Sequence, residues 1–266
     1  MSSVNSRIVR KSLQWLFVLP LSQSVLNIVE QLSAQKQGKG WGAGTICQEV
    51  NCCISVLGDS PRVVLDIGAN VGLYAEELIK RYPEAEFYLF EPSLSNSRIL
   101  RQKFKGRKKV NIYQKAVSKA TGKAKLFSNE EGSGLASLTK RNLKHFGLEM
   151  NVESSVDTIR LDEFLDSDLP SRIIDYIKID IEGHELDALN GMGARILDAK
   201  IIQFEFGGCN IDTRTFFLDF WNFFEKVNFR IYRITPAGPC LISVYEELHE
   251  FFSTTNYIAV NNLLVP

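Results

Sequence analysis

The sequence predicts an α/β fold: a doubly wound, mostly parallel sheet with helices on both faces, preceded by a helical N-terminal extension. Two observations carry this. Short apolar runs rich in β-branched residues alternate with helix-period segments of about 10–15 residues, the spacing of parallel crossover units. Acids and glycines also gather where those apolar runs end, at Asp66 to Gly72, Glu91, Ala116 to Ser118, Asp180 to His184 and Glu205 to Gly208. Ligands of open α/β sheets bind outside the carboxyl ends of the strands, so chemistry is expected there.

Residues 1–60 read as the extension, helical and irregular, broken by the glycine-rich GKGWGAG at Gly38 to Gly44. Asp59-Ser60-Pro61 is turn chemistry and opens the main domain, 61–266. RVVLDIG is the first strand, and LYAEELIKRY the helix after it, stopped by Pro83. EFYLFEP is the second strand, closed by Pro92, and SLSNSRILRQKF is a helix with serines to cap it. VNIYQKAV is a third strand and GKAKLFS a short extra one. NEEGSGLASLTKRNLKHFGLEM lacks a period and reads as a loop with some helix over the site. SVDTIRL alternates like a strand, with Asp162 placed to cap the helix that follows. IDYIKIDIEG and AKIIQFEFGG are strands on either side of a segment that begins as a helix, HELDALNGMGARIL. TRTFFLDFWNFFEKV is an aromatic-rich helix, and FRIYRI, CLISVY and TNYIAVNN are the last strands, with an antiparallel closing pair.

A formal net charge of +0 offers no basic field for nucleic acid. Cys47, Cys52, Cys53, Cys209 and Cys240 form no C-x-x-C pair, so reduced thiols of a cytoplasmic protein are expected. Arg7, Arg10 and Lys11 precede the apolar stretch LQWLFVLPLSQSVLNIV, which Pro20, Gln23 and Asn27 interrupt. The uninterrupted part falls short of the ~20 residues that span a bilayer. The expectation is an amphipathic helix lying on the domain. The alternative is peripheral contact with the inner membrane surface, for which basic residues beside Trp15 and Phe17 are suited.

Four features carry chemistry. In D-I-G-A-N-V-G, Asp66 to Gly72, Gly68 and the small Ala69 allow either a tight turn or close approach of a ligand to bare backbone. Asn70 stands where a dinucleotide motif would place its middle glycine. Glu91, ending the second strand before Pro92, is placed to hold ribose hydroxyls. In IKIDIEGHE, Asp180, Glu182, His184 and Glu185 meet at a strand end, with Glu185 expected to cap the next helix and Lys178 to be a buried partner. Glu205, an acid within an apolar strand, would salt-bridge a lysine or face the site beside Asp180.

Taken together, VVLDIGANVG, FEPS, LDEF, IKIDIEGHELDALNGM and TNYIAV resemble the FkbM family of S-adenosylmethionine-dependent methyltransferases, from about Val63 to about Asn261. The resemblance implies the class I methyltransferase (Rossmann-like) fold, a seven-stranded sheet closed by an antiparallel strand. It implies that Asp66, Gly68, Ala69, Asn70 and Gly72 line the methionine end of S-adenosylmethionine. Glu91 and Pro92 would hold the ribose, and Ala116, Val117 and Ser118 would border the adenine. Asp180 and Glu182 would flank the methyl group and the acceptor, a small molecule or glycan methylated on a hydroxyl. Asp180 or His184 would take the acceptor's proton; in a second version Asp180 and Glu205 hold Mg²⁺. The loop Glu131 to Lys140 would cover the acceptor, with Ser133, Ser137 and Thr139 as sugar-binding hydroxyls, unless it is a solvated surface loop. Trp41 and the helix Phe216 to Phe224 would supply stacking faces or, for most of those rings, core. The rivals are an NAD(P)-dependent oxidoreductase and a non-catalytic module that kept the cofactor fold.

Overall fold

The computed structural model describes residues 22–41 and 46–265. Residues 13–21 of the N-terminal apolar stretch, its basic start, and residues 42–45 of the glycine-rich break lie outside them. No helix among the described residues is long and apolar enough to cross a membrane.

Helix α1 (Gln23–Lys36), capped by the Ser22 side chain, leads to α2 (Ile46–Leu57). Then follow β1 (Val63–Ile67), α3 (Leu73–Arg81), β2 (Glu86–Phe90), α4 (Leu94–Lys103) and β3 (Val110–Tyr113). Next come β4 (Ala116–Val117), β5 (Gly122–Ser128), β6 (Val152–Ile159), α5 (Leu161–Asp168), β7 (Ile174–Ile179) and α6 (Glu185–Asn190). The chain continues with β8 (Ala199–Phe206), α7 (Cys209–Thr213), α8 (Phe217–Lys226), β9 (Phe229–Thr235), β10 (Gly238–Ile242) and β11 (Thr255–Asn261).

The main sheet runs β10-β9-β11-β8-β7-β1-β2-β3. Strands β3, β2, β1, β7 and β8 are parallel, and β11 is inserted antiparallel between β8 and β9. This is the class I methyltransferase order, with β10 added as an eighth strand through its antiparallel pairing with β9. The expected third strand is two: the chain leaves β3 after Tyr113, and β4 joins a separate sheet, β4-β6-β5, where Ala116 faces Thr158.

The parallel strands are buried on both faces, as helices on either side require. Leu65, Ile67, Ile177, Ile179 and Phe204 face α5, α6 and α8, whose Phe217, Phe220 and Phe224 belong to the core rather than to a ligand. Val64, Tyr176, Ile201 and Ile258 face α2, α3 and α4. Buried Cys52 and Cys53 pack here, and all five cysteines are free. Glu49 of α2 reaches the sheet, accepting from Gln203 Nε2 at 2.7 Å.

Two local expectations are corrected. Helix α1 buries none of its residues: Val25, Leu26, Ile28, Val29 and Leu32 are exposed, so this segment does not lie on the domain through an apolar face. Asp162 is not the cap of α5, which starts after Arg160; its carboxylate pairs with Arg160 and accepts from the Glu163 amide at 2.8 Å.

Candidate active site

A cavity opens at the carboxyl ends of β1, β2 and β7, where open α/β sheets bind their ligands. Gly68, Asn70, Glu91, Pro92, Ala116 and Val117 line it. So do Asp180, Glu182 and His184.

The β1–α3 loop explains its own sequence. Gly68, Asn70 and Gly72 all have positive φ, 84°, 49° and 77°. Asparagine is among the few side chains that accept the left-handed region, so Asn70 is a turn residue. A Cβ at Gly68 would lie 1.9 Å from the Asp180 carbonyl oxygen. The glycine is therefore demanded by the close approach of the β1 and β7 ends, while still lining the cavity. Gly72 does not line it: a Cβ there would lie 2.6 Å from Leu100 and 2.8 Å from Phe104, so this glycine seats α4. The loop amides are spent internally. Gly68 and Ala69 donate to the Phe90 carbonyl, Gly72 to Ala69, and Asn70 to Glu91 Oε2 at 2.9 Å. No ready anion cradle is left at these four positions.

Glu91 Oε1 accepts from the Ser93 amide at 2.8 Å, so both carboxylate oxygens are held from behind. Burial raises the Glu91 pKa against these two amide bonds. Asn70 Oδ1 accepts from Asn96, tying the loop to α4.

Asp66 lies beneath the cavity and is no part of its wall. It is fully buried and neither oxygen has a hydrogen bond. Its partner across the parallel β1–β7 ladder is Lys178, whose Nζ stands 3.8 Å from Asp66 Oδ1 and 3.1 Å from Asp180 Oδ2. Burial raises the Asp66 pKa, Lys178 opposing. Burial alone would lower Lys178; Asp180 and Asp66 more than offset it, and the ammonium is held charged. Lys178 is thus the buried partner expected of it, serving two acids of two motifs.

Glu182 is held in a strained conformation, with φ 56° beside Gly183 at 102°. Three contacts over-determine it. Ser137 Oγ donates to its carbonyl at 2.8 Å, and Arg141 pairs with its carboxylate. Glu185, fully buried, accepts from the Ile181 and Gly183 amides at 2.9 and 3.2 Å. Glu185 therefore clasps the turn ahead of α6. Burial, then the Asp180 charge, lift the Glu182 pKa to about 8, with Arg141 opposing.

His184 Nδ1 faces Asp187 Oδ2 at 3.1 Å, and Nε2 shares a hydrogen bond of 3.0 Å with Thr139 Oγ1. With the proton on Nδ1, Nε2 accepts from the threonine hydroxyl, so both ring nitrogens are engaged. Asp187 is bridged in turn to Lys119 at 3.0 Å.

The loop Glu131 to Lys140 folds over the cavity, pinned by the Phe127–Ser137 bridge. Its hydroxyls are committed: Ser133 donates to Asn129, Ser137 to Glu182, and Thr139 bonds His184. They anchor the loop, and Ser133 and Ser137 also line the cavity. Ser118 is also off the wall; its amide donates to the Ile159 carbonyl, and its own carbonyl packs against Gly191.

Ala69, Glu49, Lys178, Asp180, Glu205 and Asn256 border an adjoining hollow on the α2 side. Of its two expectations, Glu205 forms no salt bridge with a lysine among the described residues, but it does border this hollow beside Asp180. Glu182, Glu205 and Cys209 bring potential ligand atoms within 4.8 Å of one another, a group without Asp180, whose charge is taken by Lys178. The expected Asp180–Glu205 Mg²⁺ pair thus has one member already neutralised. Burial, then Asp180, Glu182 and Glu185, push Glu205 well above the usual carboxylate range.

Several wall residues escaped the motifs. Leu126 of β5 and Leu138 of the loop line the cavity together with Phe90, and only the alternation of GKAKLFS hinted at the first. Arg141 and Glu49 carried no signal at all.

Residues 66–231 match the family model described as the methyltransferase FkbM domain. The chain is 26% identical over 162 residues to the 2-O-methyltransferase NoeI of Sinorhizobium fredii, covering 58% of this chain and 66% of that one. It is 20% identical over 143 residues to Methyltransferase 1 of Beauveria bassiana, covering 48% and 57%. The chain spans roughly three fifths of the length of the curated relatives it matches. Among solved structures it is similar to the O-methyltransferase from Bacillus cereus in complex with SAH, with a TM-score of 0.44, 13% identity, and coverage of 96% and 97%.

Proposed function

The chain belongs to the FkbM family of methyltransferases, and from that premise we propose that it is an S-adenosylmethionine-dependent O-methyltransferase. Its acceptor is a hydroxyl of a sugar, of a glycolipid or polysaccharide unit, or of a related natural product. The observation that supports this most is Glu91 on the wall of a cavity at the strand ends, its carboxylate aimed by two backbone amides.

The residues present fit the cofactor. Each Glu91 oxygen keeps a lone pair for a ribose hydroxyl. Phe90, Val117, Leu126 and Leu138 offer apolar walls for a purine. Asn70, standing where a dinucleotide motif would place its middle glycine, argues against a nicotinamide dinucleotide. When bound, S-adenosylmethionine supplies a methyl group already activated by a positive sulfur. Asp180 and Glu182 border the cavity where acceptor and methyl would meet, and holding the two in line is the larger part of catalysis. His184 positions the covering loop through Thr139. The relative NoeI, named as a 2-O-methyltransferase, supports oxygen as the methylated atom.

The test is a thermal-shift comparison of S-adenosylhomocysteine with NAD⁺, followed by mass spectrometry of glycans incubated with S-adenosylmethionine. Stabilisation by S-adenosylhomocysteine alone is expected, with a gain of one methyl unit on a sugar. Glu91→Ala loses charged hydrogen bonds worth ~1.5–3 kcal/mol, so binding weakens about ten- to a hundredfold. Stabilisation by NAD⁺ instead would overturn the cofactor. Binding without transfer to any acceptor would make the protein a cofactor-binding module.

A further inference from the structure

Glu182 lines two cavities: the one beside Glu91, and a second, more open hollow that it shares with Arg141 and Glu205. Leu135, Phe146 and Phe252 give the second hollow apolar walls, and Arg141, Glu182 and Glu205 give it charge. Phe146 closes a short 3₁₀ turn, Lys144–Phe146, and is 69% exposed. Its ring neighbour is His145, at 4.1 Å between centroids. Arg141 is spent on Glu182 and Asp212. Glu205 Oε1 accepts a weak hydrogen bond from the Cys209 thiol at 3.9 Å.

These contents discriminate between acceptors. An acyl chain filling the hollow would bury Glu205 against hydrocarbon with only the weak Cys209 thiol as a partner, which costs more than the apolar contact returns. An anionic acceptor would face two carboxylates, and the cation present already bridges Glu182 and Asp212. A neutral polyhydroxylated ring meets both demands. Its hydroxyls donate to Glu205 and Glu182, and its C–H face lies against the negative face of an aromatic ring.

We propose that this second hollow is the acceptor seat, that it takes a neutral sugar ring against Phe146, and that the Glu182–Glu205 pair receives the proton of the methylated hydroxyl. The inference rests on the methyltransferase reading above. The hydroxyl oxygen forms a bond to the methyl carbon, and the carbon–sulfur bond breaks with its electron pair left on sulfur as a thioether. The hydroxyl proton passes to the ionised member of the pair, the two acids sharing one negative charge, and on to water. Asp180 and His184, engaged by Lys178 and by Thr139 with Asp187, stay as positioning residues.

The experiment is saturation-transfer NMR on the full chain loaded with S-adenosylhomocysteine. The probes are p-nitrophenyl glucoside and galactoside, the anionic p-nitrophenyl glucuronide, and octanol. The neutral glycosides are expected to bind. Phe146→Ala should weaken them at least about tenfold with S-adenosylhomocysteine affinity unchanged, and Phe146→Tyr should retain them. Glu205→Gln should lower kcat at least about a hundredfold, as loss of a general base does, with KM within a few fold. Glycoside binding indifferent to Phe146→Ala overturns the seat. Preference for glucuronide or octanol, or no glycoside binding at all, overturns the sugar class. Unchanged kcat in Glu205→Gln overturns the proton's destination. If the wild-type chain fails to bind S-adenosylhomocysteine, it is the underlying methyltransferase reading that falls.

Discussion

Replacing Lys178 by methionine removes the ammonium that stands 3.8 Å from Asp66 and 3.1 Å from Asp180. Asp180, with 37% of its side chain exposed, turns to water and loses little. Asp66 has no such exit, being fully buried with neither oxygen hydrogen-bonded. At an effective dielectric of about 20, the attraction across that gap is ~4 kcal/mol. Removing one partner of a buried pair typically costs ~3–5 kcal/mol. Lys178→Met is therefore expected to destabilise the fold by ~3–4 kcal/mol near neutral pH. The deficit should depend on pH in a definite direction. Burial already lifts Asp66 above its ordinary value, and without Lys178 it rises further. A carboxylate raised in the folded state contributes stability that is complete below its unfolded pKa and lost as pH rises through the folded one. The variant should thus be closest to wild type in acid and fall away as pH rises. Urea unfolding of Lys178→Met, Asp66→Asn and the double variant, at about pH 5.5 and about pH 8, measures this. The double variant should recover at least ~2 kcal/mol relative to the sum of the singles. Additivity within ~0.5 kcal/mol, or a deficit indifferent to pH, would refute the argument that Lys178 exists to neutralise Asp66.

Glu182, lifted to about 8 from 4.5, follows the same sign: its contribution is complete in acid and lost as pH climbs through about 8. Wild-type melting temperature should fall more steeply between about pH 4.5 and about pH 8 than that of Glu182→Gln, and matching slopes in calorimetry would contradict the assignment. Gly68→Ala should cost more than the ~1–2 kcal/mol of a left-handed alanine, because its methyl would lie 1.9 Å from the Asp180 carbonyl. A denaturant midpoint within error of wild type would show that the β1 and β7 ends are not held in contact.

Much of the fold was legible because its signals are local. Strand and helix periods, Pro83 and Pro92 as stops, and Ser93 as a cap act within a few residues of themselves. GKAKLFS falls where expected, as β5. The division of VNIYQKAV between two sheets was not legible, because whether β4 stays with β3 depends on the distant Thr158 offering it another partner. Site residues divide the same way. Glu91 was found by its place at a strand end, and it lines the cavity. Gly72 and Ser118 share the right stretches but face α4 and Gly191.

By itself the sequence determined the order of strands and helices, the turn that Gly68, Asn70 and Gly72 require, and the cluster of acids at the strand ends. Each depends on backbone preference or hydrophobic period, which neighbouring residues dictate. Tertiary structure alone decided what those acids are for. The β1–β7 register set Asp66 on Lys178 and so withdrew it from the cavity. A loop folded back from β5 brought Arg141 to Glu182 across 41 residues and committed the serines expected to face a ligand. The packing of α7 and the loop before β11 opened the second hollow beside Glu205. A carboxylate's role is set by which charges and how much water surround it, and those neighbours come from chain segments far apart in sequence.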